Sequence, residues 1–330
     1  MRMVDVDQQP DQHPAMIRLD DVSRLYRRAD GRMVDALSHV SLAIGEGEFV
    51  CVVGPSGHGK TTLLMMVASL VPPTHGRIIV DGQLVTGPGP DRGVVFQKDS
   101  VFPWMRVLDN VAYGLVCRGV DAKTRRDIAR RYLALVGLQD VERSWPRELS
   151  GGMLKRVAVA TVFANGARVL LLDEPFGALD YVTKRQLHNV VLNLWVETGS
   201  EKRRTVLFVT HDVDEALTLA DRILVMKHGR LVDDLHAPMP RPRTTDSLAT
   251  PEAVRLKHVL LAHLGLARAA TGRPARQHRA HVPSPGHDSL VPVVVWHHLS
   301  RHGAVCSLRC GRDLLRGHDE RGRKCAPSVH

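Results

Sequence analysis

Apolar positions recur along the chain in two patterns, short continuous runs and longer stretches of helical spacing, separated by turns rich in glycine and proline. The short runs predict strands at residues 40–44, 49–53, 76–80, 84–85, 93–96, 168–172, 206–209 and 223–226. The helical spacing predicts helices at residues 61–70, 107–115, 122–136, 184–197, 214–220 and 251–264, and one more that begins near Gly151. Buried strands that alternate with helices are typical of a largely parallel α/β sheet.

The stretch from about residue 98 to 160 is predicted to be mostly helical and therefore looks like an insertion into that sheet. Residues 238–243 combine proline with arginine, a composition that predicts a linker before the last helix. We find no internal repeat.

The composition is that of a globular chain: 44% of the 330 residues are apolar and 24% are charged. These values exclude a wholly disordered chain, a collagen-like repeat and a coiled coil. Because there is no run of eighteen apolar residues and no apolar signal region at the N-terminus, we expect neither a membrane-spanning helix nor a secretory signal. Five cysteines in a chain of this length do not make a disulfide framework, and a reducing, cytoplasmic setting is expected.

The net charge of +10 is concentrated at the C-terminal end, where residues 267–330 hold ten Arg and one Lys against four acidic residues. Such a segment could bind nucleic acid or anionic lipid, form a regulatory domain, or bind a metal ion through Cys306, Cys310, Cys325 and nearby His. Because it lacks interleaved aromatic residues and regular ligand spacing, we favour a disordered tail, or one produced by a frameshift near residue 266. No nucleic-acid partner is expected.

A glycine-rich sequence follows the strand predicted at 49–53 and fits the phosphate-loop pattern G-x-x-x-x-G-K-[ST]. In such a loop, backbone N–H groups converge on phosphate oxygens, and the following helix adds its positive end. Lys60 would reach the β- and γ-phosphates, and the Thr61 hydroxyl would coordinate Mg²⁺; a glycine loop without a ligand is the alternative. The residues expected to bind nucleotide are Gly54, Pro55, Ser56, Gly57, His58, Gly59, Lys60, Thr61 and Thr62.

Two carboxylates, Asp173 and Glu174, directly follow the apolar run at 169–172. A buried strand that ends in two acids would place them beside the phosphates. Asp173 is then expected to hold Mg²⁺, and Glu174 to orient and polarise the attacking water. The alternative is an acidic turn at the surface.

The sequence Leu149-Ser150-Gly151-Gly152-Met153 resembles the signature motif of the ATPase subunits of ABC transporters. A Ser hydroxyl and glycine N–H groups at a helix N-terminus form an anion site. In this family that site binds the γ-phosphate held by the other subunit of a head-to-tail dimer. The alternative is that Ser150 is a plain helix cap. The resemblance covers about residues 17–262.

Four further positions resemble family motifs in the family's order. Gln97 resembles the Q-loop glutamine, which senses Mg²⁺ and the attacking water, and Asp180 belongs to a sequence that resembles the D-loop. His211 resembles the switch histidine that contacts the γ-phosphate, although a lone histidine is often structural. Tyr26 lies where the family has an aromatic residue that stacks on adenine, or else packs against the N-terminal sheet.

The closest resemblance is to the ATPases of nitrate, sulfonate and taurine importers, through residues 96–97, 102–104, 109–114 and 174–180. Trp104 would either lie near the groove for the permease's coupling helix or fill the helical subdomain. Three positions depart from this subfamily: His58 replaces a usual Cys, Lys155 a usual Gln and Thr161 a usual Arg. These changes leave the phosphate-binding chemistry intact.

The resemblance implies a P-loop α/β core with an N-terminal antiparallel β layer and an inserted helical subdomain. It implies ATP hydrolysis with Mg²⁺ by a homodimer, on the cytoplasmic face of the cell membrane, that serves two transmembrane permease subunits and, indirectly, a periplasmic solute-binding protein. The alternative is an ABC-type ATPase without a transport role, either a regulatory or decayed paralogue or a translation or DNA-repair protein. The expected layout is an extension at 1–16, the ATPase domain at 17–240 with its helical subdomain at about 98–160, a linker and C-terminal helix at 241–266, and the tail at 267–330.

Overall fold

The computed structural model describes residues 15–97, 101–177, 179–196 and 203–266. The predictions for the extension before residue 15 and for the tail at 267–330 lie outside the described residues. The described part forms two sheets with helices packed around them. None of its helices combines the length and the apolar character that a membrane crossing requires.

The first sheet is antiparallel and has the strand order β2-β1-β4-β5. Its strands are β1 (Ala15–Arg27), β2 (Met33–Gly45), β4 (His75–Val80) and β5 (Gln83–Leu84). One face of β1 is buried through Ile17, Leu19 and Val22, and that face packs against the rest of the molecule. This sheet is the N-terminal β layer that the resemblance implies.

The second sheet contains five parallel strands and one antiparallel edge strand, in the order β10-β9-β3-β8-β7-β6. The strands are β3 (Phe49–Val53), β6 (Arg92–Val95), β7 (Val169–Asp173), β8 (Thr205–Val209), β9 (Arg222–Lys227) and β10 (Arg230–His236). Every residue of β3, β7 and β8 is buried, as expected for central strands that are covered on both faces.

The helices of the described residues are α1 (Lys60–Val67), α2 (Val107–Cys117), α3 (Ala122–Leu135), α4 (Gly151–Ala164), α5 (Tyr181–Val196), α6 (Val213–Leu219), α7 (Thr245–Leu248) and α8 (Pro251–His263). Helices α2, α3 and α4 pack on one another and form the predicted helical insertion between β6 and β7. The core lies on both faces of the parallel sheet. Because side chains alternate along a strand, Cys51 and Val53 of β3 face the helices, whereas Val50 and Val52 face α1 and the antiparallel sheet.

Residues 237–243 differ from the linker that their composition predicts. Ala237, Met239 and Arg243 are each less than 10% exposed. The Arg243 guanidinium donates hydrogen bonds to the Leu217 and Ala220 carbonyls at the C-terminal end of α6. A charged side chain with this many internal acceptors is held in the fold rather than in solvent, so the segment is part of the packed domain.

Candidate active site

The site lies at the carboxyl ends of three neighbouring parallel strands, β3, β8 and β7. Such strands end at the same edge of a sheet, and the crevice beyond that edge is where open α/β folds bind ligands. Backbone hydrogen bonds hold the loops together at this edge. The Thr210 N–H donates to the Val52 carbonyl at 3.1 Å, and the Glu174 N–H donates to the Val209 carbonyl at 3.0 Å. Sequence segments from three parts of the chain therefore meet at one place.

The phosphate loop joins β3 to α1 and lies against the antiparallel sheet. Gly59, the residue before α1, has φ +96°, and a Cβ atom there would come within 2.3 Å of the Ala36 carbonyl oxygen. Any other residue would therefore be strained and would also collide with β2. Helix α1 begins at Lys60, so its first N–H groups and its positive end face the loop.

The Lys60 ammonium lies inside the phosphate loop. It donates to the carbonyl oxygens of Gly54 at 2.7 Å and Pro55 at 3.0 Å, and the residue is 5% exposed. Burial lowers the pKa of Lys60, and the charges of Glu174 and Asp173 partly oppose that effect. The loop therefore holds a buried cation at its centre, which is the charge that a triphosphate needs.

The Thr61 hydroxyl donates to a carboxylate oxygen of Asp173 at 3.1 Å, and so joins the phosphate loop to the end of β7. Asp173 is 5% exposed. Burial raises its pKa, as does the neighbouring Glu174, while Thr61 and Lys60 lower it. A hydroxyl and a buried carboxylate are hard oxygen donors of the kind that Mg²⁺ prefers, and a bound cation would offset the cost of charging Asp173. The residues present fit a magnesium ion.

Glu174 is the meeting point of the candidate catalytic residues. Its Oε2 atom accepts a hydrogen bond from the Gln97 amide at 3.3 Å and lies 3.2 Å from the His211 Nδ1. The Glu174 side chain is 18% exposed and that of His211 is 58% exposed. The backbone of Glu174 has φ +42°, an unusual conformation for a residue with a side chain. The structure therefore places one carboxylate between two polar side chains at the open edge of the site.

His58 packs against His228, with 4.5 Å between the ring centroids. Its Nδ1 atom is buried and has no hydrogen-bond partner among the described residues. Burial lowers the pKa of His58, and His228, Lys60 and Lys227 add to that effect. His58 is therefore a packing residue on the side of the loop that faces the β9–β10 turn.

Ser150, Gly151 and Gly152 lie at the N-terminus of α4. Ser150 caps this helix and accepts a hydrogen bond from the Met153 N–H at 3.3 Å. A Cβ atom on Gly152 would lie 2.8 Å from the Thr183 methyl group, so the signature residues border the start of α5. The helix cap by Ser150 is therefore present, and within the described residues no hydrogen bond joins these three residues to the phosphate loop.

Asp180 and Tyr26 lie at the ends of two elements, before α5 and at the end of β1. Asp180 caps α5 by accepting from the Thr183 N–H at 3.0 Å, and hydrogen bonds from the side chain and the backbone of Thr183 lower the Asp180 pKa. Tyr26 lies at the end of β1, 36% exposed, and the Arg24 guanidinium lies 4.6 Å from its ring centroid. The ring is partly exposed and is partly covered by Arg24, so stacking on an adenine stays a prediction.

Two groups of residues at the site were not predicted from the sequence as functional. The Lys155 ammonium on α4 donates to the Gln97 carbonyl, so the signature helix contacts the Q-loop. Lys184, Asp212 and Glu215 form a cluster behind His211. The spacing of Asp212 and Glu215 after His211 suggests only a helix cap, and the position of Lys184 depends on the tertiary fold.

Comparison with known proteins agrees with this geometry. The family described as ABC transporter matches residues 37–177. The nitrate import ATP-binding protein NrtD of Synechocystis is 46% identical over 69% of this chain and 85% of its own length. The taurine import ATP-binding protein TauB of Rhizobium johnstonii is 45% identical over 66% of this chain and 82% of its own length.

Among solved structures, the dimeric ATP-binding cassette MJ0796 bound to ADP and Pi aligns with a TM-score of 0.59 at 31% identity, and covers 67% of this chain and 99% of that one. That structure is described as a post-hydrolysis state. The phosphate loop, the acidic pair at the end of β7 and the signature sequence therefore have the context that the resemblance predicts, and the chain belongs to the ABC transporter family as an ATP-binding, ATP-hydrolysing subunit.

Proposed function

We propose that this chain powers the import of a small anion, such as nitrate, a sulfonate or taurine, through a separate permease. The proposal of ATP hydrolysis at this site rests on one observation. Gln97 and His211 both contact one oxygen of Glu174, next to the Thr61–Asp173 pair. Support for import of an anion comes from relatives that are named for nitrate and taurine.

The residues divide the chemistry of ATP hydrolysis between them. Lys60 and the loop N–H groups bind the β- and γ-phosphates, and Glu174 accepts a hydrogen bond from the attacking water and orients it for in-line attack. Gln97 and His211 hold the Glu174 carboxylate and add hydrogen-bond donors beside the γ-phosphate. Thr61, Asp173 and Gln97 are the residues that would hold Mg²⁺, which neutralises charge on the β- and γ-phosphate oxygens when it is bound.

The site is completed by a second copy of the chain. Ser150, Gly151 and Gly152 present a helix N-terminus suited to an anion, and within the described residues no hydrogen bond joins them to Lys60 of their own chain. In a head-to-tail homodimer, the signature group of one protomer would bind the γ-phosphate held by Lys60 of its partner, with Asp180 and the exposed Tyr181 near the dimer axis. Two ATP molecules would then be enclosed between the protomers, and hydrolysis would reopen them.

A cavity of about 370 Å³ in the helical subdomain is suited to the permease. Trp104 is 64% exposed there, with its ring centroid 5.4 Å from that of Phe102, so it does not fill the subdomain. Three basic residues and one acidic residue also line the cavity: Arg106, Arg125, Arg126 and Asp109. An exposed aromatic anchor in a lining of net positive charge fits a short helix with an apolar face and acidic flanks. In this proposal one permease subunit binds at the cavity of each protomer, with the chain at the cytoplasmic face of the membrane and a periplasmic solute-binding protein acting indirectly.

The test is uptake of labelled nitrate, taurine and an alkanesulfonate by cells that carry this chain or its Glu174→Gln variant. Glu174→Gln is expected to trap the ATP-bound dimer and to abolish uptake of one solute, which identifies the substrate. Glu252→Gln, at an exposed acidic residue in the first turn of α8, is the matched control and should leave uptake unchanged. Wild-type turnover by the Glu174→Gln transporter would overturn the assignment of Glu174. Uptake that is equal for all solutes in both strains, with normal ATP turnover in vitro, would favour an ATPase without a transport role.

A further inference from the structure

A buried polar cluster links the start of α5 to the loop that carries His211. The Lys184 ammonium lies 3.0 Å from an Asp212 oxygen and 3.4 Å from a Glu215 oxygen. Glu215 also accepts a hydrogen bond from the Thr210 hydroxyl at 2.5 Å and lies 3.3 Å from the His188 Nε2. One lysine thus faces two carboxylates beside residues 210–212, the segment that carries His211 and is called the switch loop below.

The ion pairs in this cluster are partly protected from solvent, and the Asp212 side chain, at 32%, is the most exposed of the three. Glu215 is 4% exposed, and the Lys184 side chain is 19% exposed. Burial would raise the pKa of Glu215, but the hydrogen bonds from His188 and Thr210 and the charge of Lys184 outweigh burial and lower it. For Lys184 the effect of burial is likewise outweighed, by Asp212 and Glu215, so its pKa is raised. Both partners are therefore charged, and each compensates the burial of the other.

The position of Lys184 connects three functional segments. Its N–H donates to the Asp180 carbonyl at 2.9 Å in the first turn of α5, directly after the D-loop. The preceding residue, Thr183, contacts Gly152 of the signature sequence. The Lys184 ammonium donates to Asp212, which directly follows His211. Asp212 also caps α6 by accepting from the Asp214 and Glu215 N–H groups.

The start of α5 and the loop that carries His211 are joined here by ion pairs rather than by close packing of side chains. Lys184, Asp212 and Glu215 line a cavity of about 500 Å³, so part of the cluster has no side chain packed against it. Without the lysine charge, two carboxylates that lie within 3.5 Å of one ammonium would face each other. Like charges at such a distance repel strongly in a partly buried site, and the cavity gives the loop room to move.

We propose that Lys184 is a positioning residue for ATP hydrolysis, which holds the switch loop, and with it His211 against Glu174, in register with the D-loop. This inference rests on the ATPase activity of the family and is independent of the import role. Because no hydrogen bond or ion pair joins Lys184 to Lys60 or the phosphate loop within the described residues, its removal should slow hydrolysis and leave nucleotide binding intact.

The experiment compares kcat and KM for ATP in the purified full chain with Lys184→Met, Lys184→Arg and Asp212→Asn. Lys184→Met is expected to lower kcat about tenfold, with KM unchanged within about twofold, because misplacement of a catalytic group by a fraction of an ångström costs rate rather than affinity. Lys184→Arg keeps the charge and should restore most of kcat. Asp212→Asn keeps the helix cap, since Asn and Asp cap equally well, and loses one ion pair, so kcat should fall by about threefold.

A double-mutant cycle separates positioning from general damage. If Lys184 acts through Asp212, the variant with both Lys184→Met and Asp212→Asn should be no slower than Lys184→Met alone. Arg185→Met, on the same helix and lining the same cavity, is the matched control and should keep wild-type kcat.

Three results would overturn the inference: wild-type kcat for Lys184→Met, a rise in KM that matches the fall in kcat, or independent, multiplicative effects in the double variant. If Lys184→Met unfolds below the assay temperature, the inference is tested by comparing Lys184→Arg with Asp212→Asn. Equal kcat values for these two variants would count against it. Absent ATP hydrolysis by the wild-type chain would instead contradict the ATPase assignment itself.

Discussion

Substitution of Arg243 tests whether a buried cation, rather than apolar packing, holds residues 237–243 against the ATPase core. The perturbation is Arg243→Met, which keeps an unbranched, apolar stem of similar shape and removes the guanidinium. In the structure this group is 7% exposed and donates to the carbonyls of Met239, Leu217, Ala220 and Ala237 at 2.5–3.0 Å. Two of these carbonyls end α6, so the cation also faces the negative end of that helix.

The expected loss can be worked out from these contacts. Hydrogen bonds from a charged donor contribute about 1.5–3 kcal/mol each, so the four together give at least about 6 kcal/mol. Burial and the neighbouring charge of Arg241 oppose this, and they lower the pKa of Arg243 to about 10. The net loss is therefore expected to lie below that sum, within the range of about 3–5 kcal/mol that is typical when one partner of a buried charged group is removed.

The assay is urea denaturation followed by circular dichroism, with Arg230→Met as the matched control. Arg230 is an exposed arginine on the edge strand β10, and its replacement should change the free energy of unfolding by less than about 0.5 kcal/mol. We expect a loss of about 3–5 kcal/mol for Arg243→Met. A loss below about 1 kcal/mol would refute the reasoning, because it would mean that water or a neighbouring side chain satisfies the four carbonyls at no cost.

Three further predictions address the site and its surroundings. Lys60→Ala should weaken binding of a fluorescent ATP analogue by at least about tenfold, while Lys123→Ala on the exposed face of α3 should not; equal binding by both would contradict the phosphate-loop assignment. Trp104→Ala should weaken co-purification with a co-expressed permease by about tenfold or more and leave basal ATP hydrolysis unchanged. Undiminished co-purification would remove Trp104 from the docking cavity. Because the folded pKa of His58 lies below its ordinary value, the unfolded chain takes up its proton first, so wild type should lose more stability than His58→Asn as the pH falls from about 7 to about 5; parallel urea midpoints over that range would contradict this.

The prediction of strands from the sequence succeeded where alternation or an apolar run is unbroken and failed where a bulge interrupts it. Strands β3, β7 and β8 were predicted correctly, because both of their faces are covered and their sequences are therefore continuous apolar runs. The 13-residue β1 was not predicted: its register shifts between Leu19 and Val22, where Asp21 has φ +51°, so the period of two breaks in its middle. The edge strand β10 was missed because few of its residues are apolar.

Local sequence alone determined the phosphate loop, the buried strand before the acidic pair and the Ser150 cap, because each depends on backbone geometry and contacts within a few residues. The meeting of Gln97 with His211 at Glu174 was suggested by resemblance, but its geometry depends on the order of strands in the sheet. The tertiary structure alone decided that Lys184 faces the switch loop and that Arg243 is buried. Both side chains are ordinary basic residues in sequence, and only the folding of distant segments around them supplies the carboxylates and carbonyls that define their roles.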